Sequence, residues 1–321
     1  MFTLDELRAA RAIVAEAMPP TPQYRWPLLD RAAGCPVWVK HENHTPVGSF
    51  KVRGGLVHMR RRREAGRTGG VITATRGNHG QSIAFAARRE RIAATVVAPH
   101  GNSVEKNAAM RAFGVEFVEA GRNFDAARGA ADQLAEERGL DYVPSFHPDL
   151  VVGVATYAYE LLTAVPDLDV VYVPIGLGSG ICGVIRVRDL LGLSTRVVGV
   201  VAAGATAYAQ SFAARKVIAT ESVRTFADGM AVGQPDPVAL GIILDGAERV
   251  VTVTDAQIAE AARLLFASTH NVAEGAGAAP LAALMHEGPE RPDLRAAVIV
   301  TGGNIDTPVF ATILEGGTPE V

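Results

Sequence analysis

Short apolar runs alternate with stretches of helical periodicity along most of this chain, and that alternation limits its fold more than any other feature. Runs at 71–75, 94–98, 115–118 and 142–145 read as one series of strands, and runs at 170–174, 197–201, 250–253 and 297–300 as a second. Helical patterns lie among them at 79–89, 104–113, 124–138, 151–164 and 181–191. Strands that are apolar on both faces need cover on both. The pattern therefore predicts an α/β fold of two open, twisted parallel sheets covered by helices. Ahead of the first series, Thr3 and Glu6 make a capping box for a helix over 4–18, which Pro19-Pro20-Thr21-Pro22 ends. A strand at 37–39 and a helix over 52–63 follow, and Thr254 with Gln257 caps a helix late in the chain.

Composition narrows the function classes. The 321 residues suffice for a substantial core split over two lobes. A net charge of −3 gives no reason to expect nucleic acid or an anionic membrane as partner. Two cysteines, Cys35 and Cys182, are too few for a disulfide framework and fit a reducing compartment. No apolar run reaches membrane-spanning length and no signal-peptide core opens the chain, so a cytoplasmic location is expected.

Four separated segments carry candidate chemistry. Gly48-Ser49-Phe50-Lys51-Val52-Arg53-Gly54-Gly55 places one lysine where an extended run, 36–41, gives way to a helix. A carbonyl cofactor can react with that amine only when the amine is neutral, which requires burial or a nearby cation. Taken alone, the segment is better read as a surface lysine at a helix start. Thr75-Arg76-Gly77-Asn78-His79-Gly80-Gln81 follows a strand and opens a helix. Free N–H groups there attract anions, the glycines let a carboxylate come close, and Asn78 can donate to a phenolic oxygen. An ordinary strand-to-helix turn explains the same residues about equally well.

Gly176-Leu177-Gly178-Ser179-Gly180 joins strand 170–174 to helix 181–191 and reads as a phosphate cradle, with the Ser179 hydroxyl added. Gly178, Gly180 and Gly183 also match GxGxxG. A dinucleotide site, however, needs an acidic residue about 20 positions on, where this chain has Val201, Ala202 and Ala203. Thr301-Gly302-Gly303-Asn304 follows the last strand, where a hydroxyl could bond a heteroaromatic nitrogen.

Other features are weaker. His41-Glu42-Asn43-His44 misses the HExxH zinc spacing, because Thr45 stands where the second histidine is required. The arginines at 60–63 lack an aromatic platform and read as a solvated helix face. Cys182 reads as a small core residue and Cys35 as a turn residue. His79 reads as an aid to catalysis or as a structural histidine at a helix start.

In combination the segments resemble the fold-type II pyridoxal-phosphate enzymes, the tryptophan-synthase β-chain fold, and within them the serine/threonine dehydratases. Lys40, Glu42 and Ser49-Phe50-Lys51 with Arg53-Gly54 are similar to that family's lysine motif, and Gly77-Asn78-His79-Gly80-Gln81 to its asparagine loop. Pro174-Ile175-Gly176-Leu177-Gly178-Ser179, Ala227-Asp228-Gly229 and Glu274-Gly275-Ala276-Gly277 are similar to later motifs, so the resemblance spans nearly the whole chain. It implies a large domain from 1–47 and 148–321 that binds the cofactor's phosphate, and a small domain, 48–147, that carries the asparagine loop. Pyridoxal 5'-phosphate is the implied cofactor, held as a Schiff base on Lys51 and bound by Phe50, Asn78, Gly176, Leu177, Gly178, Ser179, Gly180 and Thr301. Thr75, Arg76, Gly77 and His79 are implied to bind the substrate.

The implied reaction is α,β-elimination of water from L-threonine and/or L-serine, giving a 2-oxo acid and ammonia, with Lys51 as the base at Cα. Amino-acid catabolism in a cytoplasmic homodimer is the implied setting. The same fold also serves 3-hydroxyaspartate dehydratase, serine racemase and β-replacement lyases. A non-enzymatic pyridoxal-phosphate carrier is the alternative from another class, and the intact lysine stands against it.

Departures from the family pattern matter. Leu177 and Ser179 interrupt its four-glycine loop, Thr301 stands for a serine, and Gly153-Val154-Ala155-Thr156 for Gly-Gln-Gly-Thr. Arg76 takes the place of the serine that supplies the second acid in racemases. A guanidinium stays protonated, so weak or absent racemisation is expected. Arg76 reads instead as solvent-facing or as a ligand for a side-chain carboxylate. Many relatives bind a divalent cation through a glutamate and an aspartate whose places here hold Val201 and Ala207. Only the Ala205 carbonyl is left to ligate, so no divalent metal is expected. The chain stops at Val321, and the C-terminal regulatory domain of the biosynthetic enzymes is expected to be missing.

Overall fold

The first helix begins where the capping pattern places it: Glu6 N donates to Thr3 Oγ1 at 3.2 Å while Thr3 N donates to Glu6 Oε2 at 2.7 Å. In this computed structural model, which describes residues 1–320, α1 (Leu4–Ala15) precedes β1 (Gln23–Arg25), α2 (Pro27–Ala33) and β2 (Val37–His41). Then come α3 (Lys51–Glu64), β3 (Val71–Ala74), α4 (Asn78–Glu90), β4 (Ala94–Ala98), α5 (Val104–Ala112), β5 (Glu116–Glu119), α6 (Phe124–Arg138) and β6 (Asp141–Tyr142). The long α7 (Pro148–Ala164) leads to β7 (Val170–Pro174), α8 (Ser179–Leu190), β8 (Arg196–Ala202), α9 (Ala207–Ala214) and α10 (Pro237–Gly246). The described chain closes with β9 (Arg249–Val253), α11 (Asp255–Thr269), α12 (Gly275–Glu287), β10 (Ala296–Val300) and α13 (Thr307–Leu314).

These strands form two sheets, in the orders β1-β2-β10-β7-β8-β9 and β5-β4-β3-β6. All neighbours run parallel except β1 and β2, so the parallel expectation is corrected at one edge by a three-residue strand that the sequence left unread. The central strands are buried at every residue of β3, β7 and β10, as their continuous apolar runs require. Register decides where the loops emerge. Val300 faces His41 across β10 and β2, and Ala296 faces Val170 across β10 and β7. The chain after β10, the segment after β2 and the glycine loop after β7 therefore leave one edge of the large sheet together, beyond the strands' C-terminal ends where ligands bind in such folds.

Helix α3 joins the two sheets. A Cβ on Gly54 would lie 2.8 Å from the Leu150 carbonyl of α7, and one on Gly55 would lie 2.8 Å from the Ser82 carbonyl of α4. Only glycine allows both helices so near. Behind this contact lies a buried ion network. Arg53 Nε and Nη2 donate to Glu42 at 2.7 and 3.0 Å, and Nη1 donates to Glu160 Oε1 and Thr156 Oγ1 at 2.7 and 3.0 Å. Lys40 Nζ donates to Glu160 Oε2 at 2.6 Å and to the Thr21 carbonyl at 2.9 Å. Two cations thus meet two carboxylates, with Lys40, Glu42 and Arg53 fully buried and Glu160 at the margin.

The arginines at 60–63 are only in part the solvated face expected: Arg63 is exposed, Arg60 and Arg61 are half-buried, and Arg62 is buried. Arg60 and Arg63 both bind Glu90, Arg61 binds Asp149, and the buried Arg62 binds Asp141. The placement of these three carboxylates, invisible in a local sequence pattern, turns a charge run into braces from α3 to α4, α7 and β6. Cys35 sits in the bend between α2 and β2, as read from the sequence, and is buried, as is Cys182.

Replacing Arg53 with Met would leave Glu42 without its cation in the interior. The expected loss is about 3–5 kcal/mol of folding stability, read by urea denaturation; a loss under about 1 kcal/mol would contradict the network's role.

Candidate active site

Lys51 is the first residue of α3, and the three residues before it are clamped to the turn after β10. Phe50 N donates to the Thr301 carbonyl at 2.9 Å, Gly303 N donates to the Gly48 carbonyl at 2.9 Å, and Ser49 bridges to Gly302. Ser82 Oγ, on α4, donates to the Lys51 carbonyl at 2.5 Å. The amine opens into a cavity of about 500 Å³. Burial pushes its pKa down to about 8, against the pull of the Glu274 carboxylate. An amine so placed is neutral far more often at physiological pH than a surface lysine is.

The turn after β3 forms the opposite wall. Gly77 N and Gly80 N both donate to Thr75 Oγ1, at 2.9 and 3.1 Å, which folds the loop tightly into the start of α4. Thr75, Arg76, Gly77, Asn78 and His79 all line the cavity with Lys51. Asn78 Nδ2 donates to Glu274 Oε1 at 2.6 Å, and Asn78 Oδ1 accepts from Asn304 Nδ2 at 2.8 Å. His79 is buried beside the Val143 carbonyl, 3.3 Å from its Nε2; burial, with Lys51 adding to it, pushes its pKa down to about 3. Its imidazole is therefore neutral, and it lines the cavity with the rest of the turn. Arg76 is exposed, as one reading of the sequence has it, and is also paired. Its Nη2 lies 3.2 Å from Asp228 Oδ1, whose other oxygen accepts from Lys106 Nζ at 3.0 Å.

The glycine loop closes the third side. A Cβ on Gly176 would strike the Gly229 carbonyl, and Gly178 adopts φ +98° at the cap of α8, where a Cβ would lie 2.7 Å from Ala239 Cβ. Helix α8 presents its first N–H groups here without intrahelical acceptors. Leu177 reaches the cavity wall, whereas Gly176, Gly178, Ser179, Gly180, Phe50 and Thr301 lie outside its lining. Thr301 Oγ1 and Ser49 Oγ are buried with no hydrogen-bond partner among the described residues. A buried hydroxyl without a partner is costly, so a site of this kind fits a ligand with a polar ring atom. Lysine, amide donor, glycine cradle and unpartnered hydroxyl together suit pyridoxal phosphate.

Four residues on or beside this site had no role in the sequence reading: Glu274, Lys106, Asp228 and Asn304. Glu274 and Asp228 fall inside motifs that carried the resemblance, and Asn304 closes the terminal turn. Lys106 gave no signal, since it sits in an ordinary helical pattern. Burial raises the Glu274 carboxyl above the usual range, opposed by Lys106 and Asn78. Lys106 is raised as well: burial would lower it, but Glu274 and Asp228 outweigh that.

The profile of the pyridoxal-phosphate dependent enzyme family matches residues 14–302. The chain is 37% identical over 285 residues to the L-threonine ammonia-lyase of Geobacter sulfurreducens, covering 88% of this chain and 71% of that protein. It is 33% identical over 297 residues to the L-threo-3-hydroxyaspartate ammonia-lyase of a Pseudomonas species, covering 92% of this chain and 93% of that one. Among solved structures, the processed form of threonine deaminase isoform 2 from Solanum lycopersicum superposes with a TM-score of 0.88 at 28% identity, covering 98% and 94% of the two chains. The tryptophan-synthase β-chain-like architecture expected from the sequence is the one found.

Replacing Thr301 with Val removes a buried, unpartnered hydroxyl at nearly constant shape. Cofactor-free protein carrying this change should melt no lower than wild type, with a gain of up to about 1 kcal/mol, while its retention of pyridoxal phosphate falls. A clear loss of stability in the cofactor-free protein would show that the hydroxyl is already satisfied.

Proposed function

We propose a reaction from one premise: the chain belongs to the pyridoxal-phosphate-dependent enzyme family. It uses pyridoxal 5'-phosphate and is a carbon–nitrogen lyase. Its reaction is the elimination of water from a β-hydroxy amino acid, L-threonine and/or L-serine, to give a 2-oxo acid and ammonia. The observation that carries this reading is the meeting of Lys51 and the Thr75–His79 turn, Asn78 included, around one cavity.

In this reading Lys51 anchors the cofactor through its amine. The start of α8, with Gly176, Leu177, Gly178, Ser179 and Gly180, would receive the phosphate, and Phe50 packs beside the lysine, whose Nζ stands 5.2 Å from the Phe50 ring centre. Asn78 would donate to the ring oxygen, and Thr301 would offer a neutral hydroxyl to the ring nitrogen. The bound cofactor supplies an electron sink for the charge left at the substrate's Cα. The turn of Thr75, Arg76, Gly77 and His79 would hold the substrate carboxylate through the N–H groups of Arg76 and His79, since Thr75 N already donates to the Val97 carbonyl and Gly77 N to Thr75 Oγ1. Lys51, as a neutral amine, would take the Cα proton, and its lowered pKa suits a base near neutral pH.

A second reading takes L-threo-3-hydroxyaspartate as substrate and sets Arg76 against its extra carboxylate. Asp228 already occupies Arg76 and Lys106, which favours a neutral side chain such as that of threonine. Residues 48–147, which contain the whole four-stranded sheet, are taken as the small domain, and 1–47 with 148–321 as the large one. A cytoplasmic location, a homodimer and a catabolic role complete the reading; the two free cysteines fit the first of these. Among the described residues no helix is long and apolar enough to cross a membrane.

Borohydride reduction of the protein with its cofactor should fix pyridoxyl phosphate on Lys51, identified by peptide mass, and Lys51→Ala should abolish both the label and ammonia release. A label on another lysine, or wild-type ammonia release from Lys51→Ala, would overturn the assignment.

A further inference from the structure

Side chains from three separate segments form a hydrogen-bonded line through the site, and a backbone carbonyl sets its direction. The Val47 carbonyl can only accept. Asn304 Nδ2 lies 2.8 Å from that oxygen and 2.8 Å from Asn78 Oδ1, so both hydrogens of the amide are donated. Exchanging nitrogen and oxygen in Asn304 would set its oxygen against two acceptors. Asn78 is fixed in turn, with Oδ1 toward Asn304 and Nδ2 toward Glu274 Oε1 at 2.6 Å. One Asn78 amide hydrogen is thereby spent on Glu274, and the other remains for the cavity that Asn78 lines. Past Glu274 the line ends on charge, with Lys106 Nζ 4.0 Å from Glu274 Oε2 and 3.0 Å from Asp228 Oδ2.

The surrounding backbone is shaped to admit this line. Gly48 adopts φ +67° with Asn304 packed against it, where a Cβ would lie 3.2 Å from Asn304 Cγ. A Cβ on Gly302 would lie 2.6 Å from Glu274 Oε1. Without such partners the terminal torsion of an asparagine is broad and nearly two-fold, and would present oxygen as readily as nitrogen. An oxygen turned toward a phenolic oxygen repels it.

We infer that Asn304 and Glu274 are positioning residues, which hold Asn78 so that one amide hydrogen always faces the cofactor's ring oxygen. This rests on the cofactor site described above. It also gives a reason why the terminal Thr301-Gly302-Gly303-Asn304 turn and the Glu274 motif accompany the asparagine loop in one chain: each supplies one end of the same line.

A double-variant cycle on the full chain tests it. Asn304→Asp keeps the shape but puts an acceptor opposite Asn78 Oδ1; Asn304→Ala removes the donor. Each is made alone and with Asn78→Ala. The readouts are the dissociation constant of pyridoxal phosphate and the absorption spectrum of the bound cofactor. Asn304→Asp should weaken binding about tenfold and Asn304→Ala about threefold, both with the altered spectrum of Asn78→Ala. With Asn78 already replaced, either change should matter by about twofold or less. Glu274→Gln, which still offers an acceptor, should keep the wild-type spectrum, whereas Glu274→Ala should not. Equal effects in both backgrounds, or a wild-type spectrum and affinity in the Asn304 variants, would overturn the inference. If Asn304→Asp fails to fold, the Asn304→Ala cycle decides. If wild-type protein holds no pyridoxal phosphate at all, and borohydride leaves Lys51 unlabelled, the cofactor reading itself fails and this inference with it.

Discussion

At Gly54 and Gly55 the backbone of α3 lies against α7 on one side and α4 on the other with no space for a side chain, and the place of Lys51 follows from that contact. Glycine in a helix interior costs about 1 kcal/mol against alanine, so two in a row weaken the helix that carries the lysine. Close packing offsets the cost and fixes a position. Gly153 meets Gly54 from the α7 side, and Ser82 caps the Lys51 carbonyl from the α4 side. Because α4 begins with Asn78, the packing that sets the lysine also sets the amide across the cavity from it. The large sheet contributes through register, since the turn after β10 holds Ser49 and Phe50 by backbone bonds.

Electrostatics in the first turn of α3 divides two cations between two tasks. Lys51 and Arg53 are two residues apart and so project about 200° apart around the helix. Arg53 enters a buried network in which Glu42 and Glu160 satisfy its charge and Lys40 balances the second carboxylate. Lys51 turns to the cavity, with no carboxylate at ion-pair distance among the described residues. One cation is locked into its charge while the other is left able to lose its own. A lysine that shared the arginine's partners would stay protonated and could neither bind a carbonyl nor take a proton from carbon.

Strands were legible in the sequence because those of a buried parallel sheet are apolar along their whole length, and the two capping boxes fixed helix starts through contacts only three residues apart. The glycine loops were legible for a related reason: close backbone approach leaves no other residue type. What escaped was set by distant packing. Asn78 and Glu274 are 196 positions apart, and no local pattern says that they touch. Helix α12 went unread because it is buried all round and contains Gly275, Gly277 and Pro280, residues that usually punctuate loops. The run 60–63 was misjudged in part because its partners, Glu90, Asp141 and Asp149, sit on three other elements.

The site thus combines an amine that can be neutral, a turn rich in backbone donors, an amide held in one orientation, and a hydroxyl awaiting a partner. Paired charges at Arg76, Lys106 and Asp228 line the remaining wall. The claim that these parts perform elimination is tested most directly by supplying the purified protein and pyridoxal phosphate with L-threonine. The amounts of 2-oxobutanoate, ammonia and D-configured amino acid are then measured. Equal amounts of 2-oxobutanoate and ammonia, with no D-isomer, are predicted; substrate returned unchanged or as its D-isomer without ammonia would contradict the account.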